Sequence, residues 1–97
     1  MIANRNSPHY YTVVIQQCDN YRSFLRKALS ERVEKNPSYS LRSFARDLAI
    51  APSMLSLVLN GKRNLSPRKA DSIAERLGLS ETDAGVLSLM IQLETAA

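Results

Sequence analysis

Between residues 20 and 69 the chain carries eleven cations (Arg22, Arg26, Lys27, Arg32, Lys35, Arg42, Arg46, Lys62, Arg63, Arg68 and Lys69) against three acids (Glu31, Glu34 and Asp47), a local charge of +8. The flanks do not share that excess: residues 70–97 hold one cation, Arg76, and five acids, and residues 1–19 set Arg5 against Asp19. The chemistry available to such a middle is the neutralisation of phosphate oxygens, and a bipolar chain of this kind has the electrostatic footprint of a nucleic-acid binder. A merely solvated basic surface is the plain alternative. Catalytic chemistry is poorly supplied. His9 is the sole histidine and Cys18 the sole cysteine, so neither a metal-ligand spacing nor a nucleophile with a base beside it can be assembled from them. The three glycines, Gly61, Gly78 and Gly85, are scattered and form no phosphate loop. An enzyme is therefore not expected, nor a cofactor, a metal or a small-molecule ligand.

One cysteine forms no intrachain disulfide, which fits a reducing compartment. No apolar run reaches the roughly 18 residues of a bilayer span, and residues 1–8 are polar where a secretion signal has its apolar stretch. A cytoplasmic, nucleoid-associated protein with no membrane contact is the expectation.

The elements that position the cations follow from periodicity. At 97 residues, 44% of them apolar, one core is expected. Residues 1–18 read as a flexible tail followed by an extended arm, because residues 10–15 (YYTVVI) are β-prone and isolated. Residues 19–97 read as the folded domain. Tyr21, Phe24, Leu25, Ala28, Leu29 and Val33 fall on one helical face, opened by Asp19 or Asn20 and stopped by Asn36-Pro37. A second helix starts at the N-cap Ser40 and buries Leu41, Phe44, Ala45 and Leu48. After a break at residues 49–51, Pro52 opens a third that runs to residue 59, and Asn60-Gly61 closes it. Ser66-Pro67 opens a fourth, with Ala70, Ile73, Ala74 and Leu77 inward and Gly78 as its stop. Ser80 with Asp83 resembles a capping box before a fifth, residues 81–94. The prediction is an all-α bundle of five helices with an N-terminal arm.

The stretch SLRSFARDLAIAPSMLSLVLNGKRNLSPRKADSIAERLGL, residues 40–79, resembles the lambda-repressor-like (Xre/Cro-type) helix-turn-helix family. The matching residues are Phe44, Ala45 and Leu48, the tight turn, Pro52, the inward Leu55 and Val58, and Leu59-Asn60-Gly61-Lys62-Arg63. The likeness extends over residues 20–94. Tyr21, Phe24 and Leu25 with NPSYSLRSFAR and GKRNLSP are also similar to the N-terminal module of a group of bacterial regulators. The resemblance implies a DNA-binding transcription regulator whose third helix enters the major groove of double-stranded DNA. By position, Pro52, Ser53, Met54, Ser56 and Leu57 would face the bases, while Arg42, Ser43, Arg46, Lys62, Arg63 and Asn64 would hold phosphates. The base-facing set departs from the family, which usually offers Gln, Arg or Lys there, and Ala51 is a weak N-cap. Leu57 at helical spacing also suits a core position, and Lys62 and Arg63 also suit a solvated loop at a helix C-terminus. Arg22, Arg26, Lys27, Arg68 and Lys69 are weaker candidates for phosphate contact and read as surface charges first.

The fifth helix bears two apolar stripes, Ala84, Leu87, Met90 and Ile91 on one side and Val86, Leu89 and Leu93 on the other. The second needs a cover, either the YYTVVI arm or a second copy in a homodimer. Two other functions fit the same residues: a protein-interaction or antitoxin-like adaptor using Met54 and Leu57 as its patch, and a nonspecific architectural DNA binder.

Overall fold

In the computed structural model, which describes residues 10–96, the YYTVVI run is not an extended arm but a helix, α1 (Tyr10–Gln16). The reason lies in spacing: Tyr11, Val14 and Ile15 fall at i, i+3 and i+4, one helical face. Val14 and Ile15 are buried in the common core, and the Tyr11 ring meets Phe24 edge-on at 5.9 Å between centroids. A β-branched residue costs only about half a kcal/mol in a helix, and burial of Val14 and Ile15 outweighs that by about 1.5–3 kcal/mol each. His9 and the tail before it lie outside the described residues.

Five further helices follow: α2 (Tyr21–Lys35), α3 (Leu41–Leu48), α4 (Pro52–Leu59), α5 (Pro67–Leu77) and α6 (Glu81–Ala96). The described residues thus form six helices, not five, and contain no strand. The starts are those the polar residues dictate. The Asn20 side chain accepts from the Ser23 N–H, Ser40 from Ser43, Ser66 from Lys69 and Ser80 from Asp83, each satisfying one of the donors a helix start leaves open. At α4 the N-cap Ala51 offers no such bond, and Pro52 at the first turn removes one donor instead.

The inner faces are those the periodicity picks out. Tyr21, Phe24, Leu25 and Ala28 of α2 meet Phe44, Ala45 and Leu48 of α3, Leu55 and Val58 of α4, the α5 stripe, and Leu87 and Ile91 of α6 in one buried cluster. Three positions differ. On α2 Leu29 is half-buried and Val33 exposed, and Leu41 at the start of α3 is half-buried too.

Three helices end in the same way. After α4, the Gly61 N–H reaches the Val58 carbonyl and the Lys62 N–H the Leu57 carbonyl, with Gly61 at φ +74°. After α5, Gly78 and Leu79 bond back to Glu75 and Ala74 with Gly78 at φ +72°. After α3, Ala49 and Ile50 bond back to Arg46 and Ala45, and here the left-handed residue is Ala49, at φ +57°. A Cβ in that conformation costs about 1–2 kcal/mol, while glycine loses about 0.5–1 kcal/mol of chain entropy relative to alanine. Ala49 is exposed, so no packing is lost with its methyl group. Ala49→Gly is therefore expected to raise the unfolding free energy by about 0.5–1 kcal/mol in urea titration; a loss of stability would show that the turn is relaxed as it stands.

Near the end of α2, Arg32 ties α1, α3 and the segment before α3 to its own helix. Its guanidinium donates to Tyr39 Oη at 3.0 Å, to Asp47 Oδ2 at 3.2 Å and to Tyr11 Oη at 3.4 Å, and it lies over the Phe44 ring at 5.4 Å. Tyr39 donates in turn to Asp47. Burial pushes the Tyr39 hydroxyl above the usual phenol range, the Asp47 hydrogen bond adds to this, and Arg32 opposes it.

Candidate nucleic-acid interface

α3 and α4, joined by residues 49–51, pack on each other through Phe44, Ala45, Leu48, Leu55 and Val58. Burying those faces turns the others outward. On α4, Pro52, Ser53 and Leu57 are exposed, and Ser53 and Leu57, four residues apart, share a face. Met54 and Ser56 are half-buried, Met54 against the core. Leu57 is 41% exposed, so it is a surface residue and not a core one. On α3, Arg42 and Arg46 are exposed and share a face by the same spacing. Ser43 is otherwise engaged. Its backbone N–H donates to Ser40 Oγ at 3.2 Å and its hydroxyl reaches the Ser40 N–H at 3.4 Å, so the start of α3 caps itself.

The loop after α4 carries Lys62, Arg63 and Asn64, all exposed. What holds it was not legible as a motif. Arg22 of α2, expected as a surface charge, has a side chain only 15% exposed. Its Nε donates to the Val58 carbonyl at 2.8 Å and its Nη2 to the Arg63 carbonyl at 2.9 Å and to Asn64 Oδ1. Its Nη1 faces Glu94 of α6 at 3.3 Å, and the guanidinium lies over the Tyr21 ring at 4.8 Å. Arg26, one turn on, donates to the Leu59 carbonyl. Tyr21 Oη accepts from the buried Leu65 N–H at 3.2 Å.

These bonds complete the accounting at the end of α4. The carbonyls of Leu57, Val58 and Leu59, orphaned by the helix stop, are met by Lys62 N–H, by Gly61 N–H with Arg22, and by Arg26. Arg22 is thus spent on structure and Arg26 only in part, through one of its N–H groups, and the sequence signal of Arg22 was only its spacing beside the core face of Tyr21 and Leu25. The remaining cations nearest α4 are unspent. Among the described residues, Arg42, Arg46, Lys62 and Arg63 make no ion pair, so their charge is available to an anion.

Chemical groups of other kinds are sparse. Burial pushes the half-buried Cys18 thiol above its ordinary range, with Lys27 opposing and Asp19 adding, which leaves it a poor nucleophile at neutral pH. No group of three His, Cys, Asp or Glu side chains that would hold a metal ion occurs among the described residues. No helix of theirs is long and apolar enough to cross a membrane.

The second stripe of α6 is where sequence and structure meet least ambiguously. Leu87 and Ile91 are buried, with Ala84 and Met90 half-buried beside them, while Val86, Leu89 and Leu93 are 37%, 55% and 64% exposed. α1 packs on α6 and still leaves these three uncovered. Compared with family models, with curated proteins and with solved structures, the chain finds no match.

Proposed function

We propose that the chain is a DNA-binding transcription regulator of the helix-turn-helix kind, which lays α4 in the major groove of duplex DNA. The observation that supports it is the outward surface of a short helix, Pro52, Ser53 and Leu57, flanked by four cations that make no ion pair among the described residues, Arg42 and Arg46 on α3 and Lys62 and Arg63 in the loop. Phosphate contacts from the cations set register, and contacts from α4 carry sequence. Ser53 and Ser56 supply hydroxyls to base edges, and Leu57 and Met54 supply apolar contact to thymine methyl groups. With few long polar side chains on α4, DNA shape contributes a share of the specificity. Val86, Leu89 and Leu93 pair two copies, so that two α4 helices meet half-sites one helical turn, about 34 Å, apart.

The test is selection of bound duplexes from a random pool, followed by affinity measurements at two salt concentrations. The native chain is expected to enrich one motif. Lys62→Ala with Arg63→Ala should keep that motif and reduce the salt slope by about 1.8, close to 0.9 for each lost phosphate contact. Ser53→Ala should change the motif more than the total affinity. Binding without enrichment would make the chain an architectural binder. The exposure of Leu57 beside Met54 favours a second reading, an adaptor that docks a partner protein on α4, and failure to bind any duplex at low salt would select it.

A further inference from the structure

α2, α3 and α4 meet around an open groove of about 310 Å³. Its floor is Leu29, Leu41 and Leu59, and its walls are Arg26, Ser30, Ser56 and Asn60. No acid lines it. Arg26 and Asn60 are exposed, as is Ser30. Arg26 makes no ion pair among the described residues, and its one hydrogen bond there, to the Leu59 carbonyl, anchors the guanidinium at the groove wall while leaving other N–H groups of the fork open. The groove is also continuous with the surface that α4 presents. Ser53, Ser56 and Asn60 stand at i, i+3 and i+7 on one face of that helix and its cap, so the row that begins at the proposed base-reading end runs into the groove.

We propose that this groove seats one phosphate–deoxyribose unit of the duplex backbone, beside the bases that α4 reads. The inference rests on the DNA-binding reading above and adds Arg26, Ser30 and Asn60 to its contacts. The chemistry on the walls is that of donors with one net positive charge, which matches a phosphodiester: Arg26, the Asn60 amide and the Ser30 hydroxyl all donate to anionic oxygen. The floor is apolar, which matches the ring carbons of the sugar. A free apolar ligand would leave the Arg26 fork and the Asn60 amide facing nothing that accepts; a phosphate–sugar unit uses both floor and walls. Arg26 thereby bridges the α4 carboxyl end and the backbone it lies against, so the helix is fixed relative to the strand it reads.

The experiment uses the full chain and a duplex of selected sequence, with a duplex of scrambled sequence beside it. Ser30→Glu places a carboxylate on the groove wall at an exposed position in mid-α2, where glutamate suits a helix. Gln92→Glu places the same charge on α6 as a control. Ser30→Glu is expected to weaken both duplexes at least tenfold, with Gln92→Glu within twofold of the native chain. Arg26→Gln, whose amide can still donate to the Leu59 carbonyl, is expected to lower the salt slope by about 0.9, which checks the same contact if the first variant folds poorly. Ser30→Glu that folds and binds within twofold of the native chain, or an unchanged slope in Arg26→Gln, would overturn the groove assignment. If Lys62→Ala with Arg63→Ala still weakened binding in that case, the DNA-binding reading would stand without the groove. A native chain that binds neither duplex removes both.

Discussion

Arg22→Ala is expected to lower the unfolding free energy by about 2–4 kcal/mol. The side chain is 15% exposed and bonds two main-chain carbonyls, Val58 and Arg63, together with Asn64 Oδ1. A hydrogen bond from a charged donor contributes about 1.5–3 kcal/mol, and three on one guanidinium do not add in full. Glu94, opposite at 3.3 Å and one-third exposed, contributes at most about 1 kcal/mol as a surface pair. The alanine variant also uncovers the Tyr21 ring face that the guanidinium covers. Arg22→Lys keeps the charge but not the planar fork, so it is expected to recover less than half of the loss. In urea the midpoint should fall with the slope unchanged, since the unfolded chain is the same. A loss below about 1 kcal/mol would mean that the loop holds itself. The consequence for binding follows from the loop's contents: Lys62 and Arg63 are positioned through the carbonyl of the second, so a folded Arg22→Ala chain should bind duplex DNA more weakly although Arg22 touches no phosphate.

The second large effect belongs to α6. Leu89→Glu with Leu93→Glu is expected to convert a dimer to a monomer at micromolar concentration and to weaken binding to a two-half-site duplex by about 100-fold or more, the usual gain from joining two binding modules. The exposures of 55% and 64% predict that the double variant folds, because neither side chain fills the core. Leu87 and Ile91, fully buried two positions away on the helix, are the contrast: glutamate there should unfold the domain. Sedimentation or light scattering of the native and double-variant chains decides the matter. A native monomer would remove the dimer, and so would a double variant that unfolds.

The caps and stops of α2 to α5 were legible because they depend on neighbours in sequence. Asn20, Ser40 and Ser66 accept from an N–H three residues on, and Gly61 and Gly78 relieve a local backbone requirement. The position of Lys62 and Arg63 immediately past α4 was legible for the same reason. α1 was not, since seven residues rich in β-branched side chains become helical only by docking on α2 and α6. Arg22 was misjudged because its acceptors include main-chain carbonyls more than thirty residues away, and a carbonyl has no signature in a sequence; Arg26 is exposed as expected, and its bond to the Leu59 carbonyl was illegible for the same reason. Leu57 illustrates a third limit. Its type suits a core, and only the packing of Leu55 and Val58 decides which side of α4 is left over.

Arg22, near the start of α2, and Glu94, in the last turn of α6, stand 3.3 Å apart. The path from one to the other is therefore almost a closed ring, in which the order of helices around the core does not depend on where the ring is cut. A permuted chain that joins the end of α6 to the start of α2 and opens between two helices elsewhere keeps the contacts among α2 to α6 and gives up only those of α1, which lies outside the ring with its buried Val14 and Ile15. The outward surface of α3, α4 and the loop after α4 then belongs to the circle of helices and not to the direction in which the chain is read.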